Sequence, residues 1–105
     1  MLRILIGEDD RHQNKPLYEQ IVLRARELKL AGATVFKGIM GFGAYSLIRS
    51  SRILQLSEGM PIVIEIIDTE ENIKKIIPFL DETVRGGLVT IEKATIIKYC
   101  SSSDK

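Results

Sequence analysis

The segment Pro61–Asp68, Pro-Ile-Val-Ile-Glu-Ile-Ile-Asp, narrows the choice of fold more than any other part of the chain. Its alternation predicts a strand with Ile62, Ile64 and Ile66 on one face and Val63 and Ile67 on the other. A strand apolar on both sides needs cover on both sides. In a chain of 105 residues, which is one domain (1–105) by length, the cover must come from a few helices and from something outside the chain.

The flanking patterns supply the helices. Met1–Gly7 alternates as a strand. Pro16–Ala31 reads as a helix, with Leu17, Ile21, Ala25 and Leu28 on one face and Gly32 as its stop. Ala33–Met40 is a second strand. After Pro61–Asp68, the Asp68/Glu71 spacing of a capping box opens another helix, with a stripe of Ile73, Ile76, Ile77, Leu80 and Val84. Pro78 should kink or split it. Leu88–Cys100 is a fourth strand region. The order β-α-β, loop, β-α-β predicts an α+β ferredoxin-like sandwich, with helices on one face of a four-stranded antiparallel sheet. The uncovered face predicts a homo-oligomer.

Between the second and third strands lies a connection from Gly41 to Met60, far longer than a strand–strand link needs, and such connections usually carry function. It opens with Gly41-Phe42-Gly43, which permits close backbone approach to a ligand.

The composition excludes several partners. A formal net charge of +1 argues against a nucleic-acid binder or a membrane-surface binder. The stretch Met40–Leu47 has the outline of an RNA-stacking strand, but Ala44 and Leu47 stand where aromatic rings would be needed. One cysteine, Cys100, forms no internal disulfide. With no membrane-length apolar run and no leader pattern, the expected compartment is the cytoplasm, with no membrane insertion. No nucleophile–base pair is evident, so an enzyme is not expected. A different reading keeps Glu8, Asp9, Asp10 and His12 as the cluster of a small metal-binding protein or enzyme, because hard cations take carboxylate oxygens.

Taken in order, Gly32-Ala-Thr-Val35, Gly41-Phe-Gly43, the long loop, Met60-Pro-Ile-Val-Ile-Glu-Ile-Ile67, a helix and Gly86-Gly87 resemble the PII signal-transduction family. Gly7-Glu-Asp-Asp10 and Gly87-Leu-Val-Thr90 are most similar to its uncharacterised PII-like branch. The resemblance implies a homotrimer that binds a small-nucleotide effector in clefts between subunits, an adenine nucleotide such as ADP, ATP or AMP, with no required cofactor and no metal. It implies that Thr34, Gly41, Phe42 and Gly43 approach the nucleotide from one subunit. Gly86, Gly87 and Leu88 would approach from the next, with Lys98 as a basic phosphate contact. Glycine-rich turns can offer N–H groups to phosphate oxygens. The turn Thr83–Leu88 has Arg85 as its one basic residue, which leaves room for a shorter or different nucleotide. The loop would meet an unidentified target protein through Leu47, Ile48, Arg49, Arg52, Ile53 and Leu54.

Overall fold

A computed structural model describes residues 1–43 and 59–102. Pro61–Ile66 is a strand, β5, in the interior of a four-stranded sheet. In chain order the elements are β1 (Leu2–Gly7), β2 (Arg11–His12), β3 (Lys15–Pro16), α1 (Leu17–Glu27), β4 (Thr34–Lys37), β5, α2 (Glu70–Lys74), α3 (Ile77–Thr83) and β6 (Leu88–Ile91). The main sheet runs β4-β5-β1-β6, and every neighbouring pair is antiparallel. This is the expected ferredoxin-like arrangement.

Register explains the two faces. Ile4 stands opposite Ile64 and Val89, so the even residues of β1 and β5 share one side. Leu2, Ile4, Ile6, Ile62, Ile64 and Ile66 are buried there with Leu17, Ile21 and Ala25 of α1 and with Ile73, Ile76, Phe79 and Leu80. Full burial of each large side chain is worth about 1.5–3 kcal/mol. On the other side Phe36, Val63, Leu5 and Leu88 stand in one row across all four strands. Phe36 and Leu88 are about half exposed, at 50% and 52%. Beside that row Arg3 bonds Glu65 at 3.0 Å and Glu92 at 3.0 Å.

Several boundaries differ from the sequence reading. The first helix starts at Leu17, with Pro16 as its N-cap and as the last residue of β3. Its end is set by Lys29 and not by Gly32. Lys29 takes φ 61°, Leu30 N–H reaches Ala25 C=O at 3.0 Å, and Lys29 N–H reaches Arg26 C=O at 3.0 Å. That bond pair is a Schellman motif with lysine in the left-handed position that glycine usually fills. The cap of α2 is Thr69, whose hydroxyl accepts from Asn72 N–H at 3.2 Å. Asp68 instead accepts from Ala31 N–H at 2.8 Å and Asn72 Nδ2 at 2.9 Å, tying the end of the α1 region to the start of α2. Pro78 does split the second helical stretch, lying in the first turn of α3, where its missing N–H leaves no helix bond unmade.

The β2–β3 hairpin is an addition the periodicity does not announce. Gln13 and Asn14 take φ 52° and 66°, the two-residue turn that suits strand twist. The second strand stops at Lys37 and not at Met40. Gly38 N–H donates to Pro61 C=O at 2.7 Å, and a Cβ on Gly38 would lie 2.6 Å from Pro61 Cγ. The fourth strand stops at Ile91, and the residues from Glu92 to Cys100 are exposed.

Candidate functional site

The root of the long connection is built from the turn after β1. Asp10 N–H donates to Gly7 C=O at 3.1 Å, and Asp10 Oδ2 accepts from Gly7 N–H at 3.1 Å. This closed turn aims Glu8 at both ends of the loop. Glu8 N–H donates to Met60 C=O at 2.9 Å, while its carboxylate meets Lys37 Nζ at 3.0 Å. Met60 is buried. Lys37, Gly38, Ile39, Met40 and Met60 line an open hollow of about 460 Å³ there. Ile39, Met40 and Phe42 are exposed large apolar residues beside it. Gly41–Gly43 follow directly after Met40 of this hollow. Leu47, Ile48, Arg49, Arg52, Ile53 and Leu54 lie outside the described residues.

The other half of the candidate site is at the far edge of the sheet. Gly86 and Gly87 lead into β6, and Leu88 pairs with Leu5. Thr34 is on β4, at the opposite edge, with β5 and β1 between. Three strand spacings of about 4.8 Å put the two edges roughly 14 Å apart. One chain therefore does not bring Thr34 to Gly86–Leu88. Lys98 is exposed in the segment after β6.

Gly87 has a structural reason of its own. A Cβ there would lie 2.5 Å from Leu5 C=O and 3.2 Å from the side chains of Ile6 and Val84. The close approach is to the chain's own first strand. This packing reason is not legible in the sequence, because strand pairing partners are not visible in a local motif.

The acidic cluster does not converge. Glu8 is engaged by Lys37. Asp10 is turned onto Gly7, and burial pushes its carboxyl up, with Asp9 adding to the rise and the Gly7 bond opposing it. His12 stands edge-on to Phe79, with ring centroids 5.9 Å apart at 88°. The Arg24 guanidinium covers that same ring at 4.3 Å, a cation–π contact. Among the described residues no group of three or more His, Cys, Asp or Glu side chains is arranged to hold a metal. Among them too, no helix is long and apolar enough to cross a membrane.

A ferredoxin-like sheet, helical cover on one face and a long connection between Lys37 and Met60 define the architecture. The same fold is seen in the crystal structure of a Thermus thermophilus protein, provisionally described as a PII-like signaling protein. The match has a TM-score of 0.58 and 22% identity, and covers 87% of this chain and 81% of that one. The sequence profile of DUF190, described as "Uncharacterized ACR, COG1993", matches residues 1–96. The chain is 43% identical over 100 residues to a UPF0166 protein of Aquifex aeolicus (strain VF5), covering 92% of this chain and 91% of the relative. It is 33% identical over 99 residues to UPF0166 protein MJ1524 of Methanocaldococcus jannaschii, covering 93% and 91%. The chain belongs to the DUF190 family, the family of these UPF0166 relatives.

Proposed function

We propose that the protein is a non-enzymatic, cytoplasmic PII-like regulator that binds an adenine nucleotide or related small effector between subunits of a homotrimer. The effector state is passed to a target protein through residues 41–60. The observation that carries this reading is the placement of the two glycine segments. Thr34 and Gly41–Gly43 belong to the β4 side of the sheet, Gly86–Leu88 to the β6 side. A ligand touching both sets needs two chains, and the open sheet face with its Phe36–Val63–Leu5–Leu88 row favours association.

The clamp at Glu8 gives the switch a physical basis. Glu8 holds Lys37 at one end of the connection and Met60 at the other. A phosphate near Gly41–Gly43 competes for Lys37. It thereby shifts the loop between arrangements, as ligand-ordered segments do.

Thermal shift with ADP, ATP and AMP, alongside light scattering, tests the reading. Ligand at a hundred times Kd adds about 2.7 kcal/mol to native stability, a Tm rise of roughly 10–20 °C for a domain of this size. Lys98→Ala should then weaken binding by about 1.5–3 kcal/mol if it bonds phosphate. A trimer that responds to none of the three nucleotides leaves the effector assignment wrong. A monomer at micromolar concentration removes the intersubunit cleft itself.

A further inference from the structure

Strand register gathers several segments at one end of the sheet. Gly7 stands opposite Pro61, Lys37 opposite Ile62, and Leu5 opposite Leu88. The turn Gly7–Asp10, the start of the long connection after Lys37, its return at Gly59–Met60 and the turn at Gly86–Gly87 therefore share that end. The two glycine segments of the functional reading lie at opposite edges of the sheet but at the same end of it.

That end is poor in positive charge. Among the described residues its turns carry Glu8, Asp9 and Asp10 against Lys37 and Arg85. The Lys37 charge is already spent on Glu8, with Nζ 3.0 Å from the carboxylate. Asp9 stands at the return of the connection, where a Cβ on Gly59 would lie 3.3 Å from its Oδ2. Asp10 Oδ2 accepts from Gly7 N–H at 3.1 Å. Its carboxyl is pushed up by burial first and also by Asp9, so the carboxylates of this turn already oppose one another. Counting Lys98 as well only brings the two signs level. One phosphate group carries about −1.5 to −2 charges at neutral pH, and each further phosphate adds to that beside the same carboxylates. Mg²⁺ joins polyphosphate to carboxylates in other sites. Here Glu8 and Asp10 are engaged, and no group of three acidic, His or Cys side chains among the described residues is arranged to hold a metal.

We propose that the site selects its nucleotide by low phosphate charge, taking a nucleoside monophosphate in preference to a triphosphate, and that Glu8 and Asp9 set this preference. The inference rests on the nucleotide reading above and names the class of nucleotide within it. Lys37, drawn from Glu8, supplies charge for one phosphate group. Asp9, beside Gly59, opposes the ones beyond it.

Calorimetry with AMP, ADP and ATP on the full chain, without divalent cation and at low and raised salt, tests this. ATP should bind roughly tenfold or more weakly than AMP, with ADP between, as expected for like charges brought close at a protein surface. Raised salt should improve ATP relative to AMP, because screening weakens a repulsion; a site that grips polyphosphate with cations shows the opposite sign. Glu8→Gln and Asp9→Asn, each confirmed folded by circular dichroism, should narrow the gap by strengthening ATP. Glu71→Gln, the same loss of charge on exposed α2 beyond the other end of β5, should leave the gap as it is. ATP binding as tightly as AMP, or weakening relative to AMP as salt rises, overturns the charge selection and leaves the nucleotide reading standing. ATP binding that appears with Mg²⁺ and is lost in Asp9→Asn overturns it too, in favour of a metal bridge. A gap that neither variant narrows overturns the assignment to Glu8 and Asp9. A protein that binds none of the three nucleotides removes the nucleotide reading and this inference with it.

Discussion

The two faces of the sheet are made by the same strands and solve different problems. On the helix side Ile4, Ile64 and Ile66 are fully buried, and every helix-side position of β1 and β5 is a leucine or an isoleucine. On the other side β5 offers Val63 and Glu65, and β1 offers Arg3 and Leu5. There the apolar row stops where Arg3 joins Glu65 and Glu92. The helix face is complete within one chain. The open face sets one arginine against two glutamates and is incomplete in apolar cover, the condition of a surface meant for another protein surface.

The largest effect should separate Ile64 from its neighbour. Ile64→Asp places an unpaired carboxylate in the closed core, at a cost of several kcal/mol, comparable with the whole stability margin of about 5–15 kcal/mol. It should unfold the protein by circular dichroism. Val63→Asp, one residue away on the half-exposed face, should leave a folded chain whose light-scattering mass falls to that of a monomer. If both variants unfold alike, or both stay assembled, the distinction between the faces is wrong.

Gly87→Val should come next. Its Cβ would meet Leu5 C=O at 2.5 Å, so β6 must move away from β1. Overpacking of this kind costs about 1–3 kcal/mol, read as a lower urea midpoint. Loss of nucleotide binding by this variant alone does not identify a ligand contact; binding must be compared at a temperature where the variant is folded. A variant as stable as the parent would show that the β1–β6 pairing is looser than described.

The contrast also explains what can be read from sequence. Alternation in Met1–Gly7 and Pro61–Asp68 announces both central strands and their buried faces, because burial on a sheet imposes a period of two. Pro78 announces its own break. Edge features are harder to read. Lys37 ends β4 because Gly38 packs on Pro61, a contact between residues far apart in sequence. Gln13–Asn14 makes a hairpin turn without the glycine that would mark one. Leu88–Cys100 reads as one strand region, but that β6 stops at Ile91 is not visible in it. At the candidate site the glycine motifs are legible as turns. That Thr34 and Gly86–Leu88 fall on opposite edges depends on strand order, which no local motif contains.

A smaller effect lies between the layers, at Asp68. Burial alone would push its carboxyl up, but bonds from Asn72, Ala31 and Thr69 outweigh this and hold it below the ordinary carboxylate range. A lowered native pKa means the stabilisation is present above the unfolded value of 3.8 and is lost as pH falls through the native value. Asp68→Ala should cost about 1 kcal/mol at neutral pH. The gap between parent and variant in denaturant midpoint should close in acid. A gap that does not depend on pH would mean that the carboxylate's charge contributes nothing to the tie between α1 and α2.

The smallest expected effect is a gain, on the covered side. Lys29 holds φ 61° to close the Schellman turn that delivers Leu30 into the core. A side chain in that region carries a steric penalty that glycine lacks, while glycine loses more chain entropy on folding. The first term wins where φ is positive, so Lys29→Gly should stabilise by about 0.5–1 kcal/mol, a Tm rise of a few degrees. Lys29 is exposed and makes no ion pair among the described residues, so no charge partner is lost. Because the turn lies on the helix side, the oligomer mass should not change. A Lys29→Gly protein less stable than the parent would mean that the lysine side chain contributes to this turn in a way its backbone geometry does not account for.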